Sequence, residues 1–118
     1  MERWRPDRGE YPPGTNWYYQ NWDFNALGTI YRQETGRDIF EAFQEQIGRP
    51  LGMRDFQPDT CWYKKEDASV HESYKFRISA RDLARFGQMY LREGAYKNKQ
   101  IVPASWVQRS TQAISQTE

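Results

Sequence analysis

The sequence predicts a mainly α-helical unit with one long irregular loop, and three observations carry that prediction. Apolar residues recur at helical spacing in four stretches, capping and stopping residues bound those stretches, and only Gln100-Ile101-Val102 reads as extended. The chain has 118 residues, enough for one small unit. Its aliphatic content is thin, since Leu, Ile, Val and Phe together number 19. Aromatic area compensates, with five Trp, eight Tyr and six Phe available for burial.

Residues 1–18 form an irregular lead-in, because Arg5-Pro6-Asp7-Arg8-Gly9 and Pro12-Pro13-Gly14 interrupt the backbone too often for a helix. Residues 19–48 hold two helices. In the first, Phe24, Leu27 and Tyr31, flanked by Ala26 and Ile30, repeat at helical spacing between Trp22 and Thr35, and Gly36 stands at the stop. In the second, Asp38 and Glu41 have capping-box spacing, Ile39, Phe40, Phe43 and Ile47 make the apolar stripe, and Gly48 with Pro50 ends it. Residues 49–77 read as the long loop, carrying Pro58, the polar run Lys64-Lys65-Glu66-Asp67 and scattered aromatics.

Residues 78–118 hold two further helices. Ser79 caps the first, Asp82 sits three residues on to bond back, and Leu83, Phe86, Gly87, Tyr90 and Leu91 share one face before the stop at Gly94. A glycine within that stripe predicts close approach of another element. After a tight turn at Lys97-Asn98-Lys99, Pro103 opens the last helix, with Trp106, Val107, Ser110 and Ile114 facing inward. Phe24, Leu27, Phe43, Leu83, Phe86 and Trp106 are the candidate core.

Several classes of function are disfavoured. Seventeen basic and sixteen acidic side chains leave a net charge of +1, without the basic excess that nucleic-acid binding calls for. One cysteine, Cys61, allows no internal disulfide, and one Cys with one His makes a poor zinc set. No run approaches the roughly 20 apolar residues of a membrane span, and the charged stretch from Met1 to Gly9 lacks the apolar core of a signal peptide. No glycine-rich phosphate loop, Ser-x-x-Lys or Gly-x-Ser-x-Gly is present, so neither a nucleotide cofactor nor a complete nucleophile motif is expected.

The segment from Pro13 to Gly28 stands apart. A Pro-Gly turn delivers the chain into Tyr19-Gln20-Asn21, directly ahead of a helix whose first N–H groups have no intrahelical acceptor. Two readings stand at this point: a hydroxyl and an amide gathered at the mouth of a helix, or a packed aromatic followed by a helix cap.

Pro13-Gly14-Thr15, Trp17, Tyr19-Gln20-Asn21 and Asn25-Ala26-Leu27-Gly28 resemble the Tyr-x-Asn region of the serine β-lactamase-like hydrolases, the group of class C β-lactamases, DD-peptidases and esterases. The order of later motifs agrees: Thr35-Gly36, Arg49-Pro50-Leu51-Gly52-Met53, Ile78-Ser79-Ala80-Arg81-Asp82-Leu83-Ala84-Arg85-Phe86-Gly87, then Gly94, Tyr96, Ile101-Val102-Pro103 and Trp106. The resemblance implies a helical lobe paired with an α/β lobe around an antiparallel sheet, with the active site between them. It implies a nucleophilic Ser and its Lys on a Ser-x-x-Lys turn upstream of the triplet, and a Lys-Thr-Gly or His-x-Gly strand downstream. Neither occurs here, and Thr35-Gly36 follows Glu34 at a helix end. The chain is therefore expected to be an internal segment and a partial domain, inert alone.

Carried over, the family's tyrosine falls on Tyr19, sharing a proton with nucleophile and leaving group. A free phenol ionises only near pH ~10, so this work at neutral pH requires a neighbouring cation, which the family's lysines supply. Asn21 would hydrogen-bond substrate and the catalytic lysine without adding charge. The stretch from Gln57 to Phe76 corresponds to a wall of the substrate cleft, which makes Trp62, His71 and Tyr74 candidate substrate contacts. The implied substrate is a small amide or ester, attacked through an acyl-serine. A competing reading from another class is a non-catalytic domain whose aromatic surface binds a glycan or a protein.

Overall fold

The computed structural model describes residues 7–115; residues 1–6 of the lead-in and 116–118 of the final segment lie outside the described residues. Its elements are α1 (Asn21–Thr35), α2 (Ile39–Phe43), a π-helical turn (Gln44–Gly48), α3 (Arg49–Leu51), a 3-10 turn (Pro58–Thr60), the strands β1 (Trp62–Lys64) and β2 (Ser73–Lys75), α4 (Ala80–Leu91), the strands β3 (Ala95–Tyr96) and β4 (Lys99–Gln100), and α5 (Ala104–Ser110). The helical character matches the sequence reading. The long loop does not stay irregular: it folds into an antiparallel β1–β2 hairpin in which Tyr63 faces Tyr74 across the ladder. Aromatic-bearing runs on either side of a polar stretch supply the cross-strand pairing that closes it.

The second helix also runs further than predicted. Asp38 caps it, its Oδ1 accepting from the N–H groups of Phe40 and Glu41 at 2.9 and 3.0 Å. Beyond Phe43 the chain widens into the π turn, where the Arg49 N–H reaches back to the Gln44 carbonyl, and helix continues to Leu51. A proline ring normally collides with the carbonyl four residues earlier, and the wider turn opens room for Pro50 instead of ending the helix. One consequence is a buried side-chain oxygen, Gln44 Oε1, with no hydrogen-bond partner.

An aromatic cluster forms the larger part of the core. Phe76 is its hub, with ring centroids 5.0 Å from Phe40, 5.1 Å from Phe43 and 6.0 Å from Phe56. Tyr63 closes one side against Phe40 and donates its hydroxyl proton to Asp38 Oδ2 at 2.8 Å. Burial pushes the Tyr63 phenol above its ordinary pKa, against the opposing effect of the Ile39 N–H that also reaches its oxygen. Leu51, Met89 and Val107 add fully or nearly buried aliphatic area.

Asp82 does something other than the predicted bond back to its own cap. Ser79 Oγ accepts from the Asp82 N–H, as a cap should, but the Asp82 carboxylate is fully buried and turned toward the segment after α3. There it accepts from the N–H groups of Arg54, Asp55 and Phe56 at 3.0, 2.8 and 2.9 Å, and from the Arg85 guanidinium at 2.8 Å. Burial alone would raise its pKa; the backbone donors outweigh that and hold it below the usual carboxylate range. Beside it, the Asp55 carboxylate is gripped by Arg81 and Ser79, whose hydrogen bonds keep it far below that range.

The predicted core is partly turned inside out. Phe43 and Phe86 are half-buried, but Phe24, Leu27, Leu83 and Trp106 are exposed. On α4 the buried residues are Asp82 and Met89, while Leu83 and Leu91 of the apolar stripe face outward, Leu91 at 88% exposure. Gly87 correspondingly meets nothing, contrary to the predicted close approach. On α5 only Val107 is buried; Ser110 and Ile114 are exposed, and the helix ends at Ser110. The molecule is elongated, with a radius of gyration of 16.6 Å. A compact domain of this length would have about 13–14 Å.

Candidate active site

The lead-in reaches α1 through extended backbone. Gln20 has φ −137° and ψ 122°, extended backbone that carries the chain from Tyr19 into Asn21, the first residue of the helix. Tyr19 is 62% exposed, its ring flanked by Trp17 at 6.0 Å and Phe24 at 5.7 Å between centroids. Asn21 is the first helical residue and also exposed; it is not the cap, a position held by Gln20 without any side-chain capping bond. Both predicted residues are thus presented to solvent. A cleft of about 530 Å³, lined in part by Tyr11, Trp17, Gln20 and Phe24, lies in the same region, but neither Tyr19 nor Asn21 lines it.

The other three candidates lie on or next to the β1–β2 hairpin. His71 and Tyr74 are turned toward α1. The His71 ring stands edge-on to Trp22, 5.1 Å between centroids, and its Nδ1 lies 3.0 Å from Thr29 Oγ1. Tyr74 packs the Cδ1–Cε1 edge of its ring against the helix at Gly28, where an added Cβ would fall 2.4 Å from Cε1. Its burial raises the phenol pKa. Trp62 is 52% exposed, and its strand partner is Lys75.

Further along α1, Arg32 pairs with Glu72 at 3.0 Å and stacks over the Tyr63 ring at 4.5 Å. A polar cleft of about 630 Å³ between the end of α1 and the hairpin includes Arg32, Arg37 and Lys65, at the opposite end of the helix from Tyr19. Sequence reasoning missed Thr29 and Trp22 as partners of His71. Their seven-residue spacing, two turns on one helix face, was the available signal. Among the described residues no group of three or more His, Cys, Asp or Glu could hold a metal, and no helix is long and apolar enough to cross a membrane.

The predominantly helical chain with few strands is consistent with a segment of a serine β-lactamase-like hydrolase. The Beta-lactamase family model matches residues 1–117, and the chain belongs to that family. It is similar to the D-aminopeptidase of Brucella anthropi, 36% identical over 55 residues, which cover 45% of this chain and 11% of that one. It is also similar to the D-alanyl-D-alanine-carboxypeptidase/endopeptidase AmpH of Escherichia coli, 38% identical over 53 residues, covering 42% of this chain and 14% of AmpH. Among solved structures, a putative 6-aminohexanoate-dimer hydrolase from Bacillus anthracis superposes with a TM-score of 0.64 at 31% identity, covering 86% of this chain and 26% of that one. The chain spans about a quarter or less of the length of these relatives.

Proposed function

We propose that this chain is the helical-lobe segment of a serine hydrolase that cleaves a small amide through an acyl-serine, and that Tyr19 and Asn21 are its contribution to the active site. The observation that carries the proposal is the exposure of both side chains at the uncapped start of α1. The names of the three relatives, two peptidases and a hydrolase of an aminohexanoate dimer, share amide cleavage, which favours an amide over an ester.

In this mechanism Tyr19 would act as a phenolate beside the catalytic lysine's positive charge: its oxygen takes the proton of the attacking serine, becoming the phenol, and gives that proton to the departing amine, which restores the phenolate. The Asn21 amide donates to the substrate and accepts from the catalytic lysine, fixing both without a charge of its own. Serine and lysine would come from sequence outside these 118 residues, so the isolated chain retains positioning groups without a nucleophile. Trp62, exposed on the hairpin, serves as a contact for the bound substrate.

The test uses the complete gene product that carries this chain, treated with an active-site serine acylating probe. Labelling is expected, and Tyr19→Phe should slow acylation by about 100-fold or more, the scale of general acid–base catalysis. A product that takes no label, or a Tyr19→Phe variant that acylates and turns over normally, overturns the proposal. Glycan or peptide binding by such an unlabelled product would instead establish the interaction-domain reading.

A further inference from the structure

The end of α1 that presents Tyr19 and Asn21 is built without a cap. Gln20 makes no side-chain bond to the first N–H groups, and Asp23 offers only a charge in the first turn. An uncapped helix start frays, because its unpaired N–H groups gain nothing by staying in line. A residue of the hairpin braces this turn from outside.

His71 is held at three points. Ser69 fixes its main chain, donating to the His71 carbonyl at 2.9 Å and accepting from the His71 N–H at 3.1 Å. Thr29 fixes its ring. Thr29 Oγ1 lies 3.0 Å from His71 Nδ1, a hydrogen bond whose donor is set by the imidazole tautomer, and it also reaches the Asn25 carbonyl at 3.3 Å. The ring edge then meets Trp22, the residue directly after Asn21.

We propose that His71 is a positioning residue: through Trp22 it holds the first turn of α1 and so the geometry of Tyr19 and Asn21. This rests on the assignment of those two residues to the active site. The hairpin thereby acts on the site from behind, and His71 does for the helix start what a capping side chain would otherwise do.

Two measurements test it. In the 118-residue chain, His71→Ala should raise amide exchange over residues 21–25 by roughly three- to tenfold, the range expected from one aromatic contact. His71→Phe, which keeps a ring against Trp22, should restore part of the protection. Gln20→Ser, which supplies a cap, should restore it in the His71→Ala background, a rescue that general loosening of the hairpin would not allow. In the complete gene product, His71→Ala should lower the acylation rate at saturating probe by a similar factor and leave half-saturation unchanged.

Unchanged exchange at residues 21–25, or no rescue by Gln20→Ser, overturns the brace. Raised exchange with an unchanged acylation rate, while Tyr19→Phe is slow, overturns the positioning role alone. If Tyr19→Phe acylates normally, the active-site assignment itself fails and the positioning role falls with it, whatever the exchange shows.

Discussion

Gly28 and Tyr74 meet so closely that the smallest side chain at position 28 would collide with the ring: an added Cβ lies 2.4 Å from Tyr74 Cε1. Two effects oppose each other in Gly28→Ala. Alanine favours a helix interior over glycine by about 1 kcal/mol, whereas forcing a methyl into a packed contact costs about 1–3 kcal/mol. The ring cannot easily retreat, since its far side packs on Phe76 at 6.4 Å. Gly28→Ala should therefore destabilise the chain in urea denaturation. Combined with Tyr74→Ala, the same change should become neutral or stabilising, because the collision is gone and the helix preference remains.

Met89 and Leu91 lie two residues apart on α4 with opposite fates, one fully buried and the other 88% exposed. Met89→Ala should cost about 2–5 kcal/mol, the range for emptying a buried site of this size. Leu91→Ser should change stability by no more than about 0.5 kcal/mol in this chain. Leu83, Leu91 and Trp106 together leave an apolar face open. Replacing Leu83 and Leu91 by serine should thus reduce binding of a hydrophobic dye without moving the unfolding midpoint. Equal losses for Met89→Ala and Leu91→Ser would show that the apolar stripe is the buried face after all.

That reversal marks where the sequence was legible and where it was not. Helix starts and stops depend on residues close together in the chain, and they were readable: Asp38 and Ser79 cap as their spacing suggests, Gly36 turns the chain at φ 65°, and Lys97 and Asn98 make the tight turn with positive φ. Which face of each helix is buried depends on partners, and the apolar stripe of α4 is not the face that this chain covers. Asp82 shows the same limit. Its spacing from Ser79 suggested a local bond, but its acceptors are used by Arg54, Asp55 and Phe56, which chain distance alone could not reveal. The packing of His71 against Trp22 and Thr29 was hidden for the same reason.

The buried Gln44 Oε1 gives a third prediction. A buried acceptor without a partner carries an uncompensated desolvation cost of about 1–3 kcal/mol. Methionine has nearly the same length and no polar oxygen, so Gln44→Met should stabilise the chain by about 1 kcal/mol, read as a higher urea midpoint with an unchanged slope. A loss of stability would mean that the amide nitrogen, or the width of the π turn, depends on glutamine.

The carboxylates around the start of α4 set the acid limit of the fold. Asp55 and Asp82 both have native pKa values below their ordinary range, so the unfolded chain binds protons more readily than the folded one. Their stabilising contribution is therefore complete above the unfolded value of about 4 and is lost as pH falls below it. Stability should be level between about pH 5 and 8 on their account and drop steeply below pH ~4. Tyr63 and Tyr74 act at the other end, since their raised pKa values mean stability lost only as pH rises past about 10. Asp82→Asn separates the carboxylate from its shape. It keeps one carbonyl acceptor but gives the Arg54, Asp55 and Phe56 donors and the Arg85 cation an amide in place of a carboxylate. The variant should be weaker by about 3 kcal/mol at pH 7, with a shallower decline toward pH 3, because one of the two groups responsible for the slope has been removed. Urea midpoints at pH 7, 5 and 3 for both proteins test this, and parallel pH curves would show that Asp82 is not ionised in the native fold.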